Sequence, residues 1–186
     1  MKATEINDLL PLRNASFDTL VEALEYAAKG QTGYNFYDGR GELYAVLSYR
    51  ELRDEARILA RRLLGLGCKR GSRVAVIAET EPMFHRFFFA CQFAGYIPVA
   101  LPAGFQLGAR AAYVEQLERM LDSCSADIAV APESHIGFLK QAVERLDLVK
   151  AGTPEEFDNL SEYDIELEPL RANEIAYLQY TSGSTR

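Results

Sequence analysis

Apolar residues recur along the first third of the chain mostly at helical spacing, with one interruption. Residues 17–29 carry Leu20, Val21, Leu24 and Ala28 on one face and predict a helix, closed at Gly30 by a left-handed cap. Residues 34–37 and 43–47 flank Asp38-Gly39-Arg40-Gly41 and predict a β-hairpin. Ser48-Tyr49-Arg50-Glu51 then has the spacing of a capping box, in which hydroxyl and carboxylate each satisfy the other's free backbone amide. Behind it Leu52, Ala56, Leu59, Leu63 and Leu66 follow at steps of four, three, four and three, a helix that ends at Gly67.

After Gly71 the period changes. Residues 73–78 (Arg-Val-Ala-Val-Ile-Ala) form a short β-rich run without polar alternation, as expected of a strand covered on both faces. A helix over 82–94 and a strand over 96–101 complete a strand-helix-strand unit, whose crossover is expected to be right-handed in a largely parallel sheet. The alternation continues with a helix over 109–124, a strand over 127–131, a helix over 135–146 and a last strand over 175–180. The fold class is α/β, a largely parallel sheet with flanking helices. There is no internal repeat or low-complexity linker, and 186 residues suit one core, given ~150 residues per domain.

Composition narrows the class without choosing a function. With 48% apolar and 25% charged residues, the chain is neither disordered, collagen-like nor a disulfide miniprotein. A net charge of −7 argues against a general nucleic-acid binder, which needs clustered Lys and Arg. No run reaches the ~18 uncharged residues of a membrane span. The N-terminus places Asp8 and Pro11 where a signal peptide would need its apolar stretch, so a cytoplasmic location is expected. Cys68, Cys91 and Cys124 form no C-x-x-C pair and read as free thiols of a reducing compartment.

The charge is segregated. Residues 50–73 hold eight basic against three acidic side chains, and residues 153–174 hold eight acidic against Arg171 alone. The basic stretch interleaves with a helical apolar stripe and reads as the solvated side of an amphipathic helix, its last arginines suiting the negative helix end. The acidic stretch lacks periodicity and reads as a surface connection into the final strand.

Several residues could carry chemistry but fit a structural role as well. His85 and His135 are fifty positions apart and show no metal-ligand spacing. Phe87-Phe88-Phe89 suits the packing of a covered helix, and Pro102–Gly108 lacks G-x-G-x-x-G. The strongest candidate is Thr181-Ser182-Gly183-Ser184-Thr185-Arg186, which directly follows the last strand. Four hydroxyls in five positions around a glycine, at the carboxyl end of a strand in an α/β sheet, suit an anion: amides converge at the glycine turn and hydroxyls add further bonds. It is not a Walker loop, because G-x-x-x-x-G-K-[ST] is absent. On residue types alone, a plain polar turn or frayed terminus is the favoured reading, since loop tips are commonly rich in Ser, Thr and Gly.

Tyr177-Leu178-Gln179-Tyr180-Thr181-Ser182-Gly183-Ser184-Thr185 resembles the phosphate-binding signature of the adenylate-forming superfamily: acyl-CoA synthetases, luciferases and peptide-synthetase adenylation domains. Upstream, Leu47-Ser48-Tyr49-Arg50-Glu51-Leu52, Gly71-Ser72-Arg73-Val74-Ala75-Val76, Ala94-Gly95-Tyr96-Ile97-Pro98-Val99 and the stretch from Tyr113 to Leu121 agree in order and spacing. Leu-Gln-Tyr before the Thr-Ser-Gly-Ser-Thr core is most similar to the fatty acyl-AMP ligases. The resemblance implies that Thr181, Ser182, Gly183, Ser184 and Thr185 hold the β- and γ-phosphates of ATP with Mg²⁺, while a fatty acid becomes an acyl-adenylate. The acyl group would then pass to an acyl-carrier protein or to coenzyme A.

Arg186 stands where the family pattern has a glycine, and the family's Mg²⁺-positioning acid, ribose-binding aspartate, acyl tunnel and C-terminal lysine have no counterpart here. The chain is therefore expected to be the first portion of a longer enzyme, with no catalytic or metal-binding residue of its own and no activity alone. Two rivals are an acyl- or aryl-CoA synthetase and a non-enzymatic interaction module of the same fold.

Overall fold

A computed structural model describes residues 10–13, 16–104 and 110–180. Helix α1 (Leu20–Ala27) starts where the Thr19 hydroxyl accepts the Glu22 N–H at 3.1 Å. Strands β1 (Gly33–Tyr37) and β2 (Leu43–Ser48) form the expected antiparallel hairpin, turned by Asp38 Oδ1, which accepts the N–H groups of Arg40 and Glu42. Gly41 there has φ +80°, a conformation open to glycine. The capping box is present at the start of α2 (Tyr49–Leu64): Ser48 Oγ accepts the Glu51 N–H at 3.1 Å, and the Ser48 N–H donates to the Glu51 carboxylate at 2.9 Å. Leu52, Ala56, Leu59 and Leu63 are fully buried, as their spacing predicts, and the turn beyond α2 passes through Gly67 at φ +76°.

The main sheet comprises β3 (Arg73–Ala78), β4 (Ile97–Pro102), β5 (Ile128–Val130), β6 (Lys150–Gly152) and β7 (Leu178–Gln179), in the order β6-β5-β3-β4-β7 with every pairing parallel. Helices α3 (Pro82–Ala94), α4 (Arg110–Ser123) and α5 (Ile136–Ala142) connect the strands, and α6 (Pro154–Asp158) follows β6. Strand alternation divides the core in two. Val74, Val76, Ile128 and Val130 face a cluster built from the hairpin, α1, α2 and α3. Ala75, Ile77, Val99, Leu101 and Ala129 face a second cluster built with α4 and α5. The strands thus lack polar alternation because both faces are covered.

Five expectations change. Gly30 is not a left-handed cap: α1 ends through Ala28 at φ −65°, with Lys29 and Gly30 donating to the carbonyls three residues back, which needs no positive φ. The helix expected over 135–146 is regular only over α5 and ends in tighter turns. Strand β6 escapes sequence periodicity because three residues are too few to show one, yet it pairs along Ile128↔Lys150 to Val130↔Gly152. The acidic connection contains α6, signalled by Thr153-Pro154-Glu155-Glu156: a capping hydroxyl, proline in the first turn and acids at the positive end, with Phe157 wholly buried beneath. Of the strand expected over 175–180, only Leu178 and Gln179 pair with a neighbour.

Candidate functional site

Because all five strands run the same way, their carboxyl ends share one edge, where open α/β sheets bind ligands. Strand β7 delivers the chain to that edge, with Leu178 opposite Val99 and Gln179 opposite Ala100. Thr181, Ser182, Gly183, Ser184, Thr185 and Arg186 come immediately after and lie outside the described residues, so it is the placement of their approach that the structure reports.

That approach is held by side chains more than by ladder bonds. Leu178 and Tyr180 pack toward α4, and Tyr177 meets the Phe88 ring of α3 at 5.7 Å, the alternation a strand imposes. The Gln92 amide, buried in the apolar last turns of α3, donates to the Ala176 carbonyl, while the Gln92 main-chain carbonyl accepts the Leu170 N–H at 2.9 Å. Tyr180 donates its hydroxyl to the Met120 carbonyl at 2.7 Å and touches Ser123 Oγ. Burial raises the Tyr180 phenol above its ordinary pKa, so it remains an O–H donor.

Further upstream, Arg70 grips the connection with its whole guanidinium. Nε and Nη2 bind the Glu174 carboxylate at 2.8 and 2.6 Å, and Nη1 and Nη2 reach the Glu168 and Pro169 carbonyls. The bidentate Arg70 bonds, with the Arg171 N–H second, hold the Glu174 carboxyl down at about 2. Sequence reading passed over Gln92 and Arg70. The available signal was a lone amide in the run Ala90-Cys91-Gln92-Phe93-Ala94, a polar group that needs a partner.

A second polar cluster closes the adjacent strand ends. His135, at the start of α5, donates from Nε2 to the Ala103 carbonyl just past β4, since a carbonyl only accepts. Its Nδ1 lies 2.9 Å from Ser134 Oγ and 3.2 Å from the Glu79 carboxylate just past β3. One buried imidazole thereby joins three strand ends, the structural role open to it from sequence. Tyr113 donates to the Pro102 carbonyl at 2.8 Å, and burial first, then the Glu79 charge, pushes its phenol up to about 12. Burial and the neighbouring Glu79 also raise the Glu81 carboxyl. His85 sits instead among Tyr34, Phe36 and Phe84, its imidazole pKa lowered by burial. Of the three phenylalanines, Phe87 is core, while Phe88 and Phe89 are half-buried. Residues 105–109 of the connection Pro102–Gly108 lie outside the described residues.

Among the described residues no group of three or more His, Cys, Asp and Glu is placed to hold a metal ion, and no helix is long and apolar enough to cross a membrane. Cys68, Cys91 and Cys124 are free thiols, the latter two buried.

A parallel α/β sheet whose last strand opens into a glycine-centred run of hydroxyls defines the class. Residues 24–185 match the family model of the AMP-binding enzymes, and the chain belongs to that family. It is 42% identical over 175 residues to a Caulobacter vibrioides protein named "Putative acyl-CoA synthetase", covering 94% of this chain and 30% of that protein. It is 25% identical over 176 residues to the medium-chain-fatty-acid–[acyl-carrier-protein] ligase JamA of Moorena producens, covering 91% of this chain and 29% of JamA. A solved structure, one of the fatty acyl-adenylate ligases of E. coli and L. pneumophila, superposes with TM-score 0.90 at 41% identity, covering 95% of this chain and 32% of that one. The chain thus spans about a third of the length of these relatives.

Proposed function

We propose that residues 1–186 are the first part of the N-terminal adenylation domain of a fatty acyl-AMP ligase. The likeness to a solved fatty acyl-adenylate ligase, 41% identical across 95% of this chain, is the observation that carries the reading. In the full-length enzyme a fatty-acid carboxylate oxygen attacks the α-phosphorus of ATP. The bond to the bridging oxygen breaks, and pyrophosphate leaves as the acyl-adenylate forms. Thr181, Ser182, Gly183, Ser184 and Thr185 hold the β- and γ-phosphates through amide and hydroxyl donors, catalysis by positioning and preorganised hydrogen bonds. Mg²⁺ bound to the nucleotide offsets phosphate charge, and no described side chain is assigned to it. The acyl group passes to the phosphopantetheine of an acyl-carrier protein, and the enzyme works in the cytoplasm with its cysteines reduced.

Fatty-acid-dependent pyrophosphate exchange tests this: the full-length enzyme is expected to catalyse it and the 186-residue chain alone is not. Exchange by the isolated chain would show that a complete catalytic site lies within it. Ser184→Ala is expected to weaken ATP use by ~1.5–3 kcal/mol, the weight of a hydrogen bond to a charged group. Unchanged adenylation kinetics would remove Ser184 from the site. The name of the Caulobacter relative favours a second reading, an acyl-CoA synthetase. Offering coenzyme A and acyl-carrier protein separately decides: efficient thioester formation on coenzyme A overturns the acyl-AMP ligase reading.

A further inference from the structure

Among the described residues, the strand that leads into the candidate loop is the shortest of the main sheet. Two residues of β7 pair with β4, and residues 161–177 before it form neither helix nor strand. A phosphate site needs its donors placed to within about 0.5 Å, and a two-residue ladder at a sheet edge is a poor constraint on the direction in which the chain departs. The last described residue supplies another. Tyr180 packs its half-buried ring against the α4 and α5 cluster and donates its hydroxyl to the Met120 carbonyl at 2.7 Å, with Ser123 Oγ against that hydroxyl. The Met120 carbonyl also accepts the Cys124 N–H at 3.0 Å and the Ser123 hydroxyl at 3.1 Å, and lies in the last turn of α4, at the negative end of the helix, where a carbonyl draws added donors. The phenol therefore ties the chain to a helix packed against the sheet, one residue before Thr181.

We propose that Tyr180 is a positioning residue for the phosphate loop, its hydroxyl seated on the last turn of α4 so that residues 181–185 start from a fixed place and direction. The inference rests on the phosphate-binding reading of those residues. Tyrosine is required there for its oxygen: phenylalanine fills the same space against the same apolar neighbours and makes no bond to Met120. Removing the hydroxyl leaves core packing in place and loosens the exit of the strand.

The test is steady-state pyrophosphate exchange by the full-length enzyme carrying Tyr180→Phe, Ser123→Ala, both, or Ser184→Ala, with melting temperatures measured alongside. Tyr180→Phe is expected to raise KM for ATP by roughly three- to tenfold, the weight of one hydrogen bond, with KM for the fatty acid and the melting temperature unchanged. Ser123→Ala should act in the same direction more weakly, and the double variant should be no worse than Tyr180→Phe, because both side chains serve one seat. An unaltered KM for ATP in Tyr180→Phe, beside an impaired Ser184→Ala, overturns this inference and leaves the loop reading standing. Equal rises in both KM values with a lowered melting temperature also overturn it, in favour of a general packing role. A wild-type Ser184→Ala removes the loop reading and this one with it.

Discussion

The basic stretch of residues 50–73 and the acidic stretch of residues 153–174 carry opposite charges and opposite kinds of order. The first is mostly a regular helix, legible from its own spacing, with a fully buried apolar stripe. The second has one short helix and a long exposed run, and little in its own pattern says where it lies. Yet the first holds the second in place: Arg62 pairs with Asp158 at 3.3 Å, and Arg70 clasps Glu174 and two carbonyls. Arg86 of α3 joins them, bridging Asp158 at 2.9 Å and Glu55 at 2.8 Å. The basic face is thus only partly a solvated one. Segregated charge along the chain here records a tertiary contact: Arg62 on α2 and Arg70 beyond its end are the basic residues that the connection uses, while Arg53 and Arg57 pair with Glu25 of α1.

This contrast can be broken at graded cost. If the acidic stretch belongs to the core through α6, Phe157→Ala should cost about 3–5 kcal/mol, because Phe157 is wholly buried edge-on against Phe87. Urea titration measures it, and a loss below 1 kcal/mol would return the segment to a plain surface connection. Asp158→Ala leaves Arg62 and Arg86 half-buried without their shared carboxylate and should cost about 1–3 kcal/mol. Restoring stability with Asp158→Asn would show that hydrogen bonding, not charge, is what matters. Gly95→Ala should cost about 1–2 kcal/mol, since Gly95 has φ +72° and a Cβ there meets the Arg70 guanidinium. The added mark is a loss of the Arg70–Glu174 pair, visible as a changed acid limb. Glu174→Gln is the mildest change at neutral pH. The folded Glu174 carboxyl titrates at about 2, below its unfolded value, so its support is present above the ordinary carboxylate range and is lost as pH falls through about 2. Melting temperature should therefore fall less steeply in the variant over that acid window. An unchanged slope would mean that Arg70 holds the connection through the Glu168 and Pro169 carbonyls alone.

Legibility followed the length of the repeating pattern. The stripe of α2, the capping box at Ser48 and Glu51, the hairpin turn at Asp38 and the doubly covered run of β3 could each be read from neighbours within a few positions. Strand β6 could not, because three residues hold no period, and α6 was hidden inside a run of acids although Thr153 and Pro154 announced it. The candidate loop stood out by residue type, and its strand could be placed last in the α/β order. Its fasteners could not be found in the same way. Gln92 meets Ala176, Tyr180 meets Met120 and Arg70 meets Glu174 across separations of 84, 60 and 104 positions.

What the sequence determined by itself is the alternation of strands and helices, the parallel class of the sheet and the family, because each rests on local spacing or on contiguous motifs. The tertiary structure alone decided that β7 lies at the sheet edge beside β4, and that three distant side chains bring it there. The physical reason is that hydrogen-bond partners of buried or half-buried polar groups are selected by proximity in the folded chain. A lone Gln, Tyr or Arg states that it needs a partner, and only the packing of α3 and α4 on the sheet says which.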